Sequence, residues 1–165
     1  MRYFAYGSNM CTGRLRRRVP SAQPVCIARL LHHSFRFHKR STDGSGKGNA
    51  LRTGNAHDVT WGVIFEIDSR EKPALDGAEG LNRGYTEKTA TVLDVEEREH
   101  AVFLYMAEPA AVNDILQPYS WYKRFVVDGA RQHGLPADYI AGIEAMPATE
   151  DPDAARDDEN RAVSC

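Results

Sequence analysis

The chain has 165 residues, 42% hydrophobic and 27% charged, with a formal net charge of −2, which is the size of one ordinary domain and the balance of a globular protein rather than a disordered one. No apolar run approaches the roughly 20 residues that cross a bilayer, the opening lacks a secretory leader, and near-neutral charge argues against a surface built to neutralise phosphates, so a cytosolic protein with no membrane or nucleic-acid partner is expected. Cys11, Cys26 and Cys165 are odd in number and without metal-ligand spacing, which predicts reduced, structurally incidental thiols.

In chain order, Arg2 to Tyr6 is rich in aromatics and ends at Gly7, where Ser8-Asn9 suits the cap of a helix through Met10, Leu15 and Val19. Gln23 to Arg40 carries Val25, Ile27, Leu31, Phe35 and Phe37 in the pattern of one long strand, or of two with a bend near the histidines. Ser41 to Asn49 has the composition of a flexible loop. Val59 to Ile67 reads as a buried strand stopped by Asp68-Ser69, and Asp68 with Glu71 makes a capping box for a helix from Ser69 to about Ala78. Tyr85 to Val95 and His100 to Met106 are predicted strands of a hairpin across Glu96-Glu97-Arg98-Glu99. Helices over Tyr119 to His133 and Ala137 to Ala145 follow, broken by Gly134-Leu135-Pro136. Pro147 to Cys165 holds six acids against Arg156 and Arg161, which leaves 17 acidic and 19 basic residues before it. With so few apolar residues it is expected to be a mobile, non-catalytic tail. Five to seven mostly antiparallel strands with few helices imply an α+β fold or small barrel, with one domain over 1–146 and an acidic tail over 147–165.

Several motifs carry little. Asp43-Gly44-Ser45-Gly46-Lys47-Gly48 suggests a phosphate loop, but Ser41 occupies the place of its first glycine and Gly48 that of its Mg²⁺-binding hydroxyl. His32 and His33 face opposite sides of a strand, and with His38 they have no cysteine or carboxylate to complete a set, so no metal is expected. Arg14, Arg16, Arg17 and Arg18 read as a solvated basic face at a helix end. No Gly-x-Ser-x-Gly elbow occurs.

Two features remain. Tyr6-Gly7-Ser8-Asn9 lies at a strand-to-helix turn, where glycine permits close approach to a ligand and free N–H groups face a carboxylate or developing oxyanion. Leu75-Asp76-Gly77-Ala78-Glu79-Gly80 puts a carboxylate at a helix C-terminus, which the macrodipole disfavours. A merely connecting turn and a merely exposed glutamate are the plainer alternatives.

Four ordered blocks resemble the γ-glutamylcyclotransferase family over residues 2 to about 146. They are Tyr3-Phe4-Ala5-Tyr6-Gly7-Ser8-Asn9-Met10; Trp61-Gly62-Val63; Leu75-Asp76-x-x-Glu79-Gly80 followed by Tyr85; and Tyr122-Lys123, Gly129-Ala130 and Gly134-Leu135-Pro136-x-x-Tyr139. The resemblance implies a small mixed, mainly antiparallel β-barrel with flanking helices and an active cavity at its mouth. It implies that Tyr3, Phe4, Ala5, Tyr6, Gly7 and Ser8 cradle a γ-glutamyl group, that N–H groups from Gly7 to Asn9 hold its carboxylate or the tetrahedral oxygen, and that Tyr85, Tyr105 and Tyr122 line the cavity. Glu79 is then general acid and base. The implied reaction is cyclisation to 5-oxoproline with release of an amine, which needs no cofactor and no partner beyond the small γ-glutamyl substrate, in a monomer or homodimer. A cyclotransferase for γ-glutamylamines or a γ-glutamyl-protected metabolite uses the same Glu79, and a non-catalytic binding module on the same barrel is the alternative of another class.

Overall fold

Seven strands form, all but β4 where apolar residues alternate or run together: β1 Arg2–Ala5, β2 Gln23–Leu31, β3 His33–Arg40, β4 Gly46–Arg52, β5 Val59–Glu66, β6 Tyr85–Asp94 and β7 Glu99–Ala107. The computed structural model describes residues 1–165. Five strands close into a barrel in the order β1-β5-β2-β6-β7, and β3 and β4 pair as a separate two-stranded sheet. All barrel pairings are antiparallel except the closing one, where β1 runs parallel to β7 with Tyr3 opposite Phe103. The α+β expectation and the implied barrel with flanking helices are thus met, and closure leaves no sheet edge in the barrel. Val63, Ile64 and Phe65 of β5 are all buried, which explains why that strand shows a continuous apolar run instead of alternation.

Five helices cover the barrel: α1 Thr12–Arg16, α2 Lys72–Glu79, α3 Ser120–Gln132, α4 Ala137–Ala145 and α5 Ala154–Arg161. None is long and apolar enough to cross a membrane. In α3, Trp121, Tyr122, Phe125, Val126, Gly129 and Ala130 are buried at helical spacing. Gly129 passes so close to the turn after β1 that a Cβ there would lie 2.4 Å from Cys11 N and 2.5 Å from Met10 C. The longest helix of the protein therefore seats the Tyr6–Met10 turn by backbone contact.

Local details depart from the sequence reading. Chain 23–40 follows the second of its two readings, breaking at His32, which takes the left-handed region at φ 62°, into β2 and β3; the other details differ. The stretch 41–49 is a loop only at its start, since β4 begins at Gly46. Glycine is what lets β4 approach β3: a Cβ at Gly46 would fall 2.4 Å from Phe37 O. The helix expected through Val19 is a 3₁₀ turn, Ser8–Met10, followed by α1, and neither has a side-chain cap. Asp68 does cap its turn by accepting from Arg70 N at 2.9 Å, but the Glu71 carboxylate turns to Ser21.

The acidic segment 147–165 is not a mobile tail. Asp151 is buried and accepts from Trp121 Nε1 at 2.7 Å and from the Arg156 guanidinium. Val163 joins the core, and Arg124 donates to the carbonyls of Asn160, Arg161 and Val163. Cys11 and Cys165 form a disulfide, which corrects the expectation of three incidental thiols and leaves Cys26 free. Composition misleads here because the acids meet arginines and an indole N–H that no local pattern announces.

Gly129→Ala is expected to cost about 1–3 kcal/mol through overpacking. Gly142→Ala, in α4 with nothing within 4 Å of its Cβ, should instead add roughly 0.5–1 kcal/mol; urea midpoints of the two variants check both signs. Asp151→Ala is expected to lower the thermal midpoint by several degrees, whereas a loose tail would leave it unchanged.

Candidate active site

The site is built from the turn after β1 and the end of α2. Beyond Ala5 the chain turns through Gly7 into the 3₁₀ segment, where Met10 N and Cys11 N donate to Gly7 O and Ser8 O at 3.0 and 3.3 Å. The N–H groups of Gly7, Ser8 and Asn9 precede these bonds and donate to no acceptor within the protein, forming a run of free donors of the kind that holds anions. On α2, Leu75 and Glu79 stand four residues apart on one face. Leu75 is fully buried, which anchors that face, and Gly80 at φ 72° in the left-handed region ends the helix directly after Glu79.

Tyr3, Tyr6, Gly7, Ser8, Asn9, Glu79, Tyr85, Tyr105 and Tyr122, all predicted from the sequence, line one cleft, together with Gly48. Phe4 and Ala5 are wholly buried in the core and do not reach its wall. Each tyrosine hydroxyl is engaged. Tyr3 Oη accepts from Asn9 Nδ2 at 3.1 Å, Tyr6 donates to Tyr105 O, Tyr85 donates to Gly48 O at 2.5 Å, Tyr105 donates to Asp76 Oδ1 at 2.5 Å, and Tyr122 accepts from Gly48 N at 3.1 Å. Burial raises the pKa of all five, with the Asp76 hydrogen bond adding to the rise at Tyr105. They are neutral phenols at physiological pH, so they shape the cleft without serving as bases.

Glu79 is the carboxylate on this wall. Its Oε1 accepts from Asn9 Nδ2 at 2.8 Å and from Arg18 Nη1 at 2.9 Å, and its side chain is 17% exposed. Oε2 has no partner in the protein. Asp76, one helical turn earlier, is committed by contrast: Lys72 Nζ lies 2.7 and 2.9 Å from its two oxygens and Tyr105 holds it as well.

Arg18 and the lysines nearby were not legible as site residues. The narrow cleft, about 20 Å³, adjoins a lobe of about 110 Å³ reached by Arg14, Arg18, Lys39 and Lys47. The basic cluster is therefore not merely a solvated face: Arg14 stacks 4.5 Å over the Phe125 ring and Arg18 grips Glu79 across 61 residues of sequence. Lys47 is tied to Asp43 at 2.7 Å and Ser45 Oγ at 2.8 Å, and burial pushes its ammonium down to about 8. The unusual lysine within a glycine-rich run was the one available signal. His38, one of the three clustered histidines, bonds Asp114 and Asn49 instead. Metal-type donors meet outside the cleft at Cys26, Asp94 and His100, within 4.8 Å of one another. There the Asp94 oxygens are taken by His100, Arg98 and the N–H groups of Glu96 and Arg98.

Comparison with known proteins gives a consistent result. Residues 59–143 match the AIG2-like family. The chain is 29% identical to the γ-glutamylcyclotransferase of Homo sapiens over 154 residues, covering 87% of this chain and 77% of that protein. It is 30% identical to that of Bos taurus over 148 residues, with the same 87% and 77% coverage. A solved structure named gamma-glutamyl cyclotransferase superposes with a TM-score of 0.86 at 26% identity over 98% of both chains. An uncharacterized protein from Homo sapiens superposes with a TM-score of 0.82 at 28% identity, over 90% of this chain and 88% of that one.

Asn9→Ala removes donors and an acceptor that Tyr3, Glu79 and Arg18 all use, and is expected to lower stability by about 1–3 kcal/mol. A urea titration giving an unchanged midpoint would show that this amide does not hold the site together.

Proposed function

This chain belongs to the AIG2-like family, among the γ-glutamylcyclotransferases, and we propose that it cyclises the γ-glutamyl group of a γ-glutamyl amino acid or amine to 5-oxoproline, with Glu79 as general acid and base. The observation that carries the proposal is the free Oε2 of Glu79 in a cleft whose remaining titratable walls are neutral tyrosines. In the reaction the α-amine of the γ-glutamyl group attacks its own side-chain amide carbonyl, a five-membered ring closes, and the C–N bond to the departing amine breaks. Nucleophile and electrophile are already tethered, so holding the reactive rotamer supplies much of the acceleration. No cofactor is required.

Glu79 Oε2 takes a proton from the α-ammonium and returns one to the departing nitrogen, which is a poor leaving group until protonated. The N–H groups of Gly7, Ser8 and Asn9 receive the substrate carboxylate or the oxygen of the tetrahedral intermediate, where preorganised donors have most effect. Arg18 and Asn9 keep the carboxylate in place. The enzyme acts in the cytosol as a monomer or homodimer in this reading.

Glu79→Gln preserves the shape of the side chain and removes its proton chemistry. It is expected to reduce 5-oxoproline release from γ-glutamylalanine by about 10²–10⁴-fold, followed by chromatography, with an unchanged near-UV circular dichroism spectrum. Turnover retained in this variant would overturn the assignment of Glu79. Binding of 5-oxoproline by the wild type without turnover of any γ-glutamyl compound would favour the non-catalytic binding module.

A further inference from the structure

His38 is the extra residue of a bulge in β3: across from β4, Phe37 faces Gly48 and Lys39 faces Lys47, so His38 has no partner in the register. Bulges re-aim side chains. Phe37, His38 and Lys39 are consequently all buried, where regular alternation would put His38 on the opposite face. The His38 ring is 3% exposed and lies outside the lining of the cleft, bonded to Asn49 and Asp114.

The hydrogen bonds around Asn49 leave one arrangement. The backbone N–H of Ala107 can only donate, and it reaches Asn49 Oδ1 at 2.8 Å. The amide nitrogen of Asn49 therefore points at His38 Nε2, 2.9 Å away, which must accept. The imidazole proton is left on Nδ1, which donates to Asp114 Oδ1 at 2.7 Å. The backbone closes the same corner, since Asn113 N donates to His38 O at 2.8 Å. His38 thus fixes which way the Asn49 amide faces.

Asn49 in turn acts on the cleft from two sides. Ala107, which it ties, is the strand partner of Tyr85. Gly48, its neighbour in the chain, accepts from Tyr85 Oη at 2.5 Å and donates from its N–H to Tyr122 Oη at 3.1 Å. Tyr85 is therefore held both at its backbone and at its hydroxyl, and the Asn49–Ala107 bond joins the separate β3–β4 sheet to β7 of the barrel. Gly48, Tyr85, Tyr122 and Glu79 line one cleft of about 20 Å³, so a small shift of this wall changes which substrate rotamer fits.

We propose that His38 and Asn49 are positioning residues for the cyclisation: His38 orients the Asn49 amide, and Asn49 sets the wall of Gly48, Tyr85 and Tyr122 at the distance from Glu79 that the folded-over γ-glutamyl group requires. The inference rests on the cyclotransferase reading and deepens it by naming what sets the width of the cleft.

Two variants separate the two nitrogens of the ring. His38→Gln keeps an acceptor in the place of Nε2 and loses the Asp114 contact, whereas His38→Asn keeps a donor in the place of Nδ1 and loses the acceptor for Asn49. With γ-glutamylalanine, His38→Asn should lower kcat about ten- to hundredfold with KM changed less than about threefold, while His38→Gln should stay within about threefold of the wild type in both. Amide hydrogen exchange gives a readout independent of turnover: the Ala107 N–H should be protected in the wild type and in His38→Gln, and exchange roughly tenfold faster or more in His38→Asn. Equal kcat in the two variants, or an Ala107 N–H that exchanges alike in both, would overturn the inference. So would a His38→Asn chain that melts below the assay temperature, because the contact would then hold the fold as a whole. Calorimetric titration with 5-oxoproline distinguishes this inference from the reading beneath it. If the wild type turns over no γ-glutamyl compound but binds 5-oxoproline, with affinity lost in His38→Asn and kept in His38→Gln, the cyclotransferase reading is rejected and the wall-setting role stands. Equal affinities without turnover reject both.

Discussion

Asn9 Nδ2 donates to Tyr3 Oη and to Glu79 Oε1, while Asn9 Oδ1 accepts from Arg18 Nη1. Through this one side chain, 3% exposed, β1, the turn after α1 and the end of α2 are held in register. Only a primary amide offers donors and an acceptor at this reach. An aspartate would set a second negative charge against Glu79, and an aliphatic residue would leave three buried polar groups short of a partner. The position of Asn9 depends in turn on the next residues: Met10 and Cys11 lie against Gly129 so closely that no side chain fits between. A glycine in α3 thus fixes an asparagine after β1, which fixes a glutamate at the end of α2. Most of the remaining fold serves to bring these three segments together.

Net charge conceals how the charges are distributed. Four of the six acids of residues 147–165 are paired locally, Asp151 and Asp153 with Arg156 and both Asp157 and Glu150 with Arg161. The exposed pairs contribute little to stability; Asp151 differs because it is buried and also binds the Trp121 indole. Within the cleft and the adjoining lobe, Arg14, Arg18, Lys39 and Lys47 are answered only by Glu79 and Asp43. The chain is formally negative while its cavity is positive, and a positive concavity with low-dielectric walls concentrates anionic ligands. Every γ-glutamyl compound retains the α-carboxylate of its glutamyl part, so this polarity suits the proposed substrate class whatever the leaving group is.

The barrel was legible because its strands carry their own signals. The unbroken apolar run of β5 and the charged turn between β6 and β7 need no tertiary information. In the latter, Asp94 accepts from the N–H groups of Glu96 and Arg98, which closes the hairpin. β4 was hidden because the glycines that let it approach β3 are the same residues that signal a loop. Resemblance brought Glu79 and most of its tyrosine neighbours together. Arg18 was out of reach, since its contact is with a distant segment, the end of α2. Segment 147–165 was misread for the same reason, its order resting on Trp121, Arg124 and Cys11.

On the proposed reaction, the arrangement around Glu79 also answers how one carboxylate serves two proton transfers. Oε1 is pinned by two donors on different segments, which removes most of the freedom of the carboxylate plane and leaves Oε2 without a partner in the protein. The α-nitrogen and the departing nitrogen are remote in an extended substrate, but in the tetrahedral intermediate both are bonded to one carbon and stand side by side. An oxygen within hydrogen-bond reach of the first is then close to the second, and the proton moves between them without a change of rotamer. The five tyrosines, held neutral by burial, supply fixed dipoles without competing for that proton. Immobility of the carboxylate is therefore an advantage here, and it explains why Glu79 is tied through one oxygen and left free at the other.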